Sequence, residues 1–310
     1  MDSNYNHHIS VLLEESINIL NIKPDGVYVD CTLGRCGHSK QILNRLNDNG
    51  LLICFDQDQA AIDYAKQIFA NQNNVIIIKS NFKDLKKELI KRNITKVDGF
   101  IFDLGLSSPQ LDDPNRGFSY QHNARLDMRM DQSQKLDAHY VINNYSFQQL
   151  CTIFSRYGEI KNPKRVVDAI IQQRQINPIN TTFGLVDIIK QNSPLKLLFN
   201  KKHPARLYFQ AIRIEVNNEL SILEQSLNDA ISLLNIAGII AVISFHSLED
   251  RITKKVFSKY TKNTLPKEVP ISNYFAQYSL VNNKTVASEE EINANNRSRS
   301  SILRAMIKNY

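Results

Sequence analysis

Short apolar runs alternate with helical patterns through the first hundred residues. Val27–Cys31, Leu51–Phe55, Val75–Lys79 and Val97–Leu104 are continuous apolar stretches of strand length. Between them, Ser39–Leu46, Gln59–Ala70 and Phe82–Lys91 repeat apolar residues at helical spacing. Strands with no polar face, separated by helices, predict a parallel sheet covered on both sides. Past Leu111 the pattern breaks. Asp112–Arg129 is polar and turn-rich, and short helical patterns follow at Ala138–Asn143, Phe147–Tyr157, Pro163–Gln173 and Phe183–Gln191. The α/β pattern returns with a helix over Ala211–Leu234, a strand over Gly238–Phe245, a helix over Leu248–Tyr260 and a last strand over Ser301–Ile307. Asn263–Ser279 shows no clear period. The expected organisation is an α/β domain in two parts, 1–112 and 207–310, interrupted by a helical insertion, 113–206, on the substrate side.

Composition narrows the class. The chain has 310 residues, 42% of them hydrophobic, enough for one large core and an insertion. The longest apolar run, Ile236–Phe245, is about half the length of a membrane-spanning helix. Met1–Asn6 is polar, so no secretory leader is expected and the cytoplasm is the expected location. Cys31, Cys36, Cys54 and Cys151 form no CxxC pair and have no histidine at zinc spacing. They read as reduced thiols, with no metal site.

The net charge of +7 is concentrated. Residues 113–207 hold 14 lysines and arginines against 7 acids, and residues 248–310 hold 11 against 6. The remaining segments are mildly acidic. Basic segments suit a polyanion such as nucleic acid, or form a solvated surface.

The first candidate chemistry is the loop after the first strand, Tyr28-Val-Asp-Cys-Thr-Leu-Gly-Arg-Cys-Gly-His-Ser39. Gly34 and Gly37 permit close backbone approach by a ligand, and the loop ends at a helix N-terminus. Asp30 closes the first strand, Asp56 the second and Asp103 the fourth. An acid about 20 residues beyond such glycines can accept both ribose hydroxyls of an adenosine-type cofactor. A dinucleotide would favour a tight glycine nest, and G-x-G-x-x-G is absent. S-adenosylmethionine carries a sulfonium and an amino group, which acids at strand ends suit better. Phe82 either packs beside an adenine or opens the next helix, with Asn81 as its cap.

The second is the fourth strand with its loop, Phe100-Ile-Phe-Asp-Leu-Gly-Leu-Ser-Ser-Pro-Gln-Leu-Asp112. Asp103, Ser107 and Ser108 are the candidate acceptors for the hydrogens of a reacting amino group; the serines also read as turn formers. Together with His8-Ile-Ser-Val-Leu-Leu13, Asp30-Cys-Thr-Leu-Gly-Arg-Cys-Gly-His-Ser39, Arg116-Gly-Phe-Ser119, Leu126-Asp-Met-Arg-Met-Asp131, Tyr157-Gly-Glu159, Phe209-Gln-Ala-Ile-Arg-Ile214, Ser244-Phe-His-Ser-Leu-Glu-Asp-Arg251 and Arg297-Ser-Arg-Ser300, this segment resembles the ribosomal RNA small-subunit methyltransferase H family. The match runs nearly end to end.

The resemblance implies a Rossmann-like S-adenosylmethionine-dependent methyltransferase domain with a helical insertion. It implies methylation of the N4 amino group of one cytosine in the decoding region of 16S rRNA. Its cofactor positions fall on Cys36, Gly37, His38, Asp56, Phe82, Asp103 and Gln110. The expected partner is 16S rRNA in the small subunit, with no membrane; a homodimer is left open. Arg116, Phe118, Arg125, Arg129, His246, Arg297 and Arg299 are candidate RNA contacts, and Arg304 on the same tail fits phosphate binding. Met128 and Met130 read as core fillers. Ser247 with Asp250 reads as a helix cap.

Three departures from the family pattern stand out. Cys36 replaces the usual glycine, and its Cβ crowds the cofactor unless φ is negative. A thiol at a helix start can also be reactive. Leu207 stands where an arginine is usual, with Arg206 beside it, and Asn296 replaces a proline. Two other classes remain as competitors: a dinucleotide-dependent oxidoreductase, and a non-catalytic ribosome-assembly factor that retains only the fold.

Overall fold

A computed structural model describes residues 10–194, 202–262 and 276–310. The start of the His8 stretch and most of Asn263–Ser279 lie outside them. The chain divides into two compact units, Met1–Gly105 with Leu220–Tyr310, and Leu106–Glu219.

Among the described residues, the first unit is built on seven strands: β1 (Val27–Asp30), β2 (Leu51–Asp56), β3 (Val75–Lys79), β4 (Val97–Asp103), β5 (Leu234–Ser244), β6 (Tyr278–Val286) and β7 (Ile302–Lys308). They lie in the order β3-β2-β1-β4-β5-β7-β6. β1 to β5 pair in parallel, and β7 runs antiparallel to both β5 and β6. The strand order reverses at β1/β4, the switch point at which open α/β sheets bind ligands.

The continuous apolar runs are explained by burial on both faces. Val29, Phe100, Phe102, Ile240 and Val242 enter one core cluster. Their neighbours Tyr28, Ile101, Ile239, Ala241 and Ile243 enter another on the opposite face, as the two-residue period of a strand demands. Helices α1 (Leu13–Leu20), α2 (Gly37–Leu43), α3 (Gln59–Ile68) and α4 (Leu85–Ile90) belong to this unit. Asn81 caps the turn before α4 by accepting the Lys83 N–H at 2.9 Å.

The second unit contains α5 (Ser108–Asp112), α6 (Ala138–Asn144), α7 (Phe147–Arg156), α8 (Lys164–Ile176), α9 (Thr182–Asn192) and α10 (Ala205–Asn217). Its core gathers Phe118, Leu126, Met128, Leu150, Phe154, Ile170 and Ile212. The division falls several residues before the expected 112/113 and beyond the expected 206/207. Leu106 and Leu111 pack on this core, and α10 contributes Tyr208, Phe209 and Val216 to it. The single helix expected over Ala211–Leu234 is two, α10 and α11 (Glu219–Leu233). Between them Asn218 adopts φ 51°, a left-handed conformation that asparagine tolerates better than most residues. Of the remaining helices, α12 (Ser247–Thr261) follows β5, and the short α13 (Glu289–Ala294) precedes β7.

Candidate active site

Asp30, Asp56 and Asp103 end β1, β2 and β4 at one edge of the sheet. Asp30 is buried. It accepts the Thr32 N–H at 3.0 Å and the Ser39 hydroxyl at 2.6 Å. Burial pushes its carboxyl up to about 6, against the pull of those two donors. Asp56 is half-buried and accepts the N–H groups of Gly34 and Asp58 at 2.9 and 2.8 Å. It too is pushed up to about 6, first by burial. Each oxygen of an ionised carboxylate has two lone pairs, so Asp56 retains acceptor capacity for ribose hydroxyls.

Asp103 sits beside Asp30 across the switch point. Its backbone N–H donates to Thr32 Oγ1 at 2.6 Å, tying β4 to the loop after β1. Its Oδ2 lies 3.7 Å from His38 Nδ1. Its Oδ1 is buried without a hydrogen-bond partner. Burial, then the charges of Asp30 and Glu249, hold this carboxyl well above the usual range. A buried acceptor with nothing to accept is costly and calls for a donor or a cation.

The loop residues divide sharply. Gly37 is required by packing, since a Cβ there would meet Ser10 Oγ at 1.8 Å. Cys36 has φ 63°, so the negative φ that would keep its Cβ clear of the cofactor is not met. Its side chain is fully buried in the cluster with Leu12 and Leu33. Burial pushes the thiol up to about 12, so it is protonated at neutral pH and is not the reactive thiol its place at a helix start permitted. Phe82 is half-buried and meets Phe102 edge-on at 5.7 Å.

In the second unit, Ser107 is the N-cap of α5 and its N–H donates to Gln110 Oε1 at 3.1 Å. Gln110 is buried and Ser108 half-buried. Several RNA candidates prove to be structural. Phe118 is buried in the core, so it presents no face for stacking. Arg116 is buried and donates to the carbonyls of Arg129 and Met130 at 2.9 and 3.1 Å. Arg129 grips Asp127 with two guanidinium nitrogens, at 2.8 and 2.7 Å. Arg125 pairs with Asp127 and Asp137, but 56% of its side chain stays exposed. Met128 and Met130 are buried, as core fillers should be. Asn217 pins their backbone, donating to the Met128 carbonyl and accepting the Met130 N–H.

The C-terminal candidates also divide. His246, rather than Ser247, caps α12. Its Nδ1 accepts the Glu249 N–H at 3.4 Å, while Glu249 Oε2 accepts the N–H groups of Phe245 and His246. The ring Nε2 lies 3.0 Å from Glu249 Oε1 but makes no hydrogen bond, so the cap engages only the Nδ1 side of this imidazole. Arg304 is held by Asp250 at 2.6 and 3.2 Å and also donates to the Asn283 carbonyl, which removes it from the phosphate contacts. Arg297 and Arg299 are exposed on a short turn over Asn296–Ser300.

Residues 5–309 match the MraW methylase family. The chain belongs to this family. Its relatives include proteins named ribosomal RNA small subunit methyltransferase H. The protein of Ureaplasma parvum serovar 3 is 66% identical over 306 residues, covering 99% of each chain. That of Ureaplasma urealyticum serovar 10 is 62% identical with the same coverage. That of Malacoplasma penetrans is 51% identical over 304 residues, 98% of this chain and 97% of its own.

Two positions in this methylase escaped sequence reasoning. Thr32 and Ser39 are small hydroxyl residues that read as loop and helix-start formers. Their partners, Asp103 and Asp30, are identified only once the strands are in register. The acid at the end of β1 is the one available signal: a buried carboxylate needs donors, and the Thr32 N–H and the Ser39 hydroxyl, two and nine residues on, supply them.

Proposed function

We propose that the chain is a cytoplasmic enzyme that transfers a methyl group from S-adenosylmethionine to the N4 amino group of a cytosine in the decoding region of 16S rRNA. Membership of a methylase family supports the reaction class. The names of the relatives support small-subunit rRNA as the substrate. The observation that carries the cofactor assignment is Asp103, whose buried Oδ1 stands at the switch point without a donor. A cationic cofactor with an amino group fits that acceptor, and the acidic end of β2 fits a ribose.

S-adenosylmethionine, when bound, supplies a methyl group activated by a sulfonium. The residues present hold and orient. Asp56 would accept the ribose hydroxyls, and Asp103 and His38 would hold the methionine end. Gly34 would let the backbone approach the ligand and Phe82 would pack beside the adenine; Gln110, on the helical unit, is a further candidate from the family pattern. The lone pair on cytosine N4 is delocalised into the ring, so acceptors on its hydrogens are needed to localise it. Asp103 of the sheet unit is the candidate acceptor, and Ser107 and Ser108 of the helical unit are the further candidates from the sequence. Alignment of nitrogen, methyl carbon and sulfur accounts for much of the acceleration.

Nucleoside mass spectrometry of 16S rRNA from a strain lacking the gene tests this reading. Loss of N4-methylcytidine, restored by the wild-type gene and not by Asp103→Asn, is expected. An unchanged signal would leave a binding protein that retains only the fold. Calorimetry with NAD provides the other check, since a dinucleotide response in place of S-adenosylmethionine binding would point to an oxidoreductase.

A further inference from the structure

The far end of the chain ties down the segment that precedes α1. Leu12, the residue before that helix, is fully buried and has φ 49°. Its N–H donates to Glu291 Oε1 at 2.8 Å, across 279 positions of sequence. A left-handed leucine is strained, and such strain persists only where the surroundings over-determine it. Burial and the bond to Glu291 supply that constraint.

Local rules assign Glu291 a different partner. It stands three residues after Ser288, the N-cap of α13, whose hydroxyl accepts the Glu291 N–H at 3.1 Å. That is the spacing of a capping box, in which the acid reaches back to the cap's own N–H. Glu291 Oε1 goes instead to Leu12. The side chain is half-buried and its backbone is anchored. The Glu291 carbonyl accepts the Asn295 N–H at 2.7 Å, and Ile292 beside it packs on the cluster that holds Leu12.

The other side of this strap is the glycine loop. Ser10 is buried against Gly37, in the space a Cβ of residue 37 would need. Leu12 shares its cluster with Leu33 and Cys36. Cys36, like Leu12, is a left-handed residue that precedes a helix and makes no side-chain cap. Two strained residues therefore share one core, and freeing Leu12 loosens the surface on which Cys36 is packed. We propose that Glu291 is a positioning residue for the cofactor loop, acting through Leu12 and Ser10. Its carboxylate fixes residues 10–12, and these back the loop at Cys36 and Gly37. The inference rests on S-adenosylmethionine being the ligand of that loop.

The test compares the full chain with Glu291→Ala, Glu291→Gln and a control, Asp250→Asn. The control loosens the pair with Arg304 in the same unit and leaves the strap alone. Thermal melts confirm that each variant folds. S-adenosylmethionine affinity is measured by calorimetry, and kcat and both KM values on small subunits. Amide exchange of residues 10–16 and 33–38 is followed in the cofactor-free chain. Glu291→Ala should weaken S-adenosylmethionine ~10-fold, as loss of a hydrogen bond to a charged group does. Its KM for the cofactor should rise by the same factor while kcat and the rRNA KM stay within ~2-fold. Exchange should quicken in both segments. Glu291→Gln keeps an acceptor oxygen and should return affinity to within ~3-fold of wild type. Asp250→Asn should lower the melting temperature with cofactor affinity and exchange in both segments unchanged. Wild-type cofactor affinity in Glu291→Ala would overturn the proposal. So would Glu291→Gln no better than Glu291→Ala, or quicker exchange in residues 10–16 with 33–38 unchanged. A loss in kcat and both KM values that Asp250→Asn reproduces would reduce Glu291 to a structural anchor. If the wild-type chain binds no S-adenosylmethionine, the cofactor assignment fails, and loop exchange still reads the strap.

Discussion

The two units use charge in opposite ways. In the sheet unit, Asp30, Asp56 and Asp103 terminate adjacent or next-adjacent strands, and hydrogen bonds from the backbone hold each of the first two. In the helical unit, cations are of two kinds. Arg116 and Arg129 are consumed by carbonyls and by Asp127, whereas Lys190 and Arg206 stand in solvent. A carboxylate at a strand end is placed by sheet register, so its position already implies a ligand edge. An arginine in a loop implies nothing until its partners are known.

The largest effect should come from cutting each core separately. Phe102→Ala in the sheet unit and Phe154→Ala in the helical unit each remove a fully buried ring, at a cost of about 3–5 kcal/mol. Scanning calorimetry should show each variant lowering the transition of its own unit first. One common transition shifted equally by both variants would mean that the units are a single cooperative body.

Next comes Asp103→Asn, which keeps the shape and replaces one carboxyl oxygen by an amide donor. It should lower kcat/KM by roughly 10²–10³, as loss of a preorganised electrostatic partner does. A change of under threefold would take Asp103 out of the reaction and leave the sheet unit's acids as structural caps.

How much of this was legible follows the same division. The parallel strands were visible because burial on both faces leaves continuous apolar runs. β6 was not, because Tyr278–Val286 is an edge strand with a single buried residue, and its Asn-Asn-Lys-Thr stretch reads as loop. α1 was missed because Leu12, at φ 49°, supplies no side-chain cap to mark the helix start. The acids were found at their strand ends, but Thr32 as the brace for Asp103 spans 71 residues and depends on β1/β4 register. Arg116 and Phe118 were misplaced because a polar, turn-rich loop reads as exposed. Here that loop folds back on Asn217 and fills a core.

A smaller effect tests the cofactor side alone. Asp56→Asn should weaken S-adenosylmethionine about 10–100-fold, the scale of hydrogen bonds to a charged group, and leave RNA affinity unchanged. The pH dependence has a defined sign. Asp30 and Asp56 are raised to about 6 by burial, so their protonated forms favour the folded chain. That stability is fully present below the ordinary carboxyl value and is lost as pH rises through about 6. Ligand binding needs the ionised carboxylates and runs the other way. The thermal shift produced by S-adenosylmethionine should therefore be larger at pH 8 than at pH 5, and Asp56→Asn should flatten the difference. A cofactor shift larger at pH 5 would contradict the ribose role.

Cys36→Gly should do least. It relieves a left-handed non-glycine residue, worth about 1–2 kcal/mol, and loses a buried thiol of comparable value. A melting point moved by more than about 4 °C in either direction would show that one of these terms dominates.

The most direct test of the central claim is reconstituted transfer. Purified chain, S-adenosylmethionine and small subunits from the deletion strain are incubated, and the rRNA is digested and read by nucleoside mass spectrometry. N4-methylcytidine is expected at a single decoding-region cytosine, with the signal lost in Asp103→Asn. Methylation at another atom or base, or equal signal from Asp103→Asn, would contradict it.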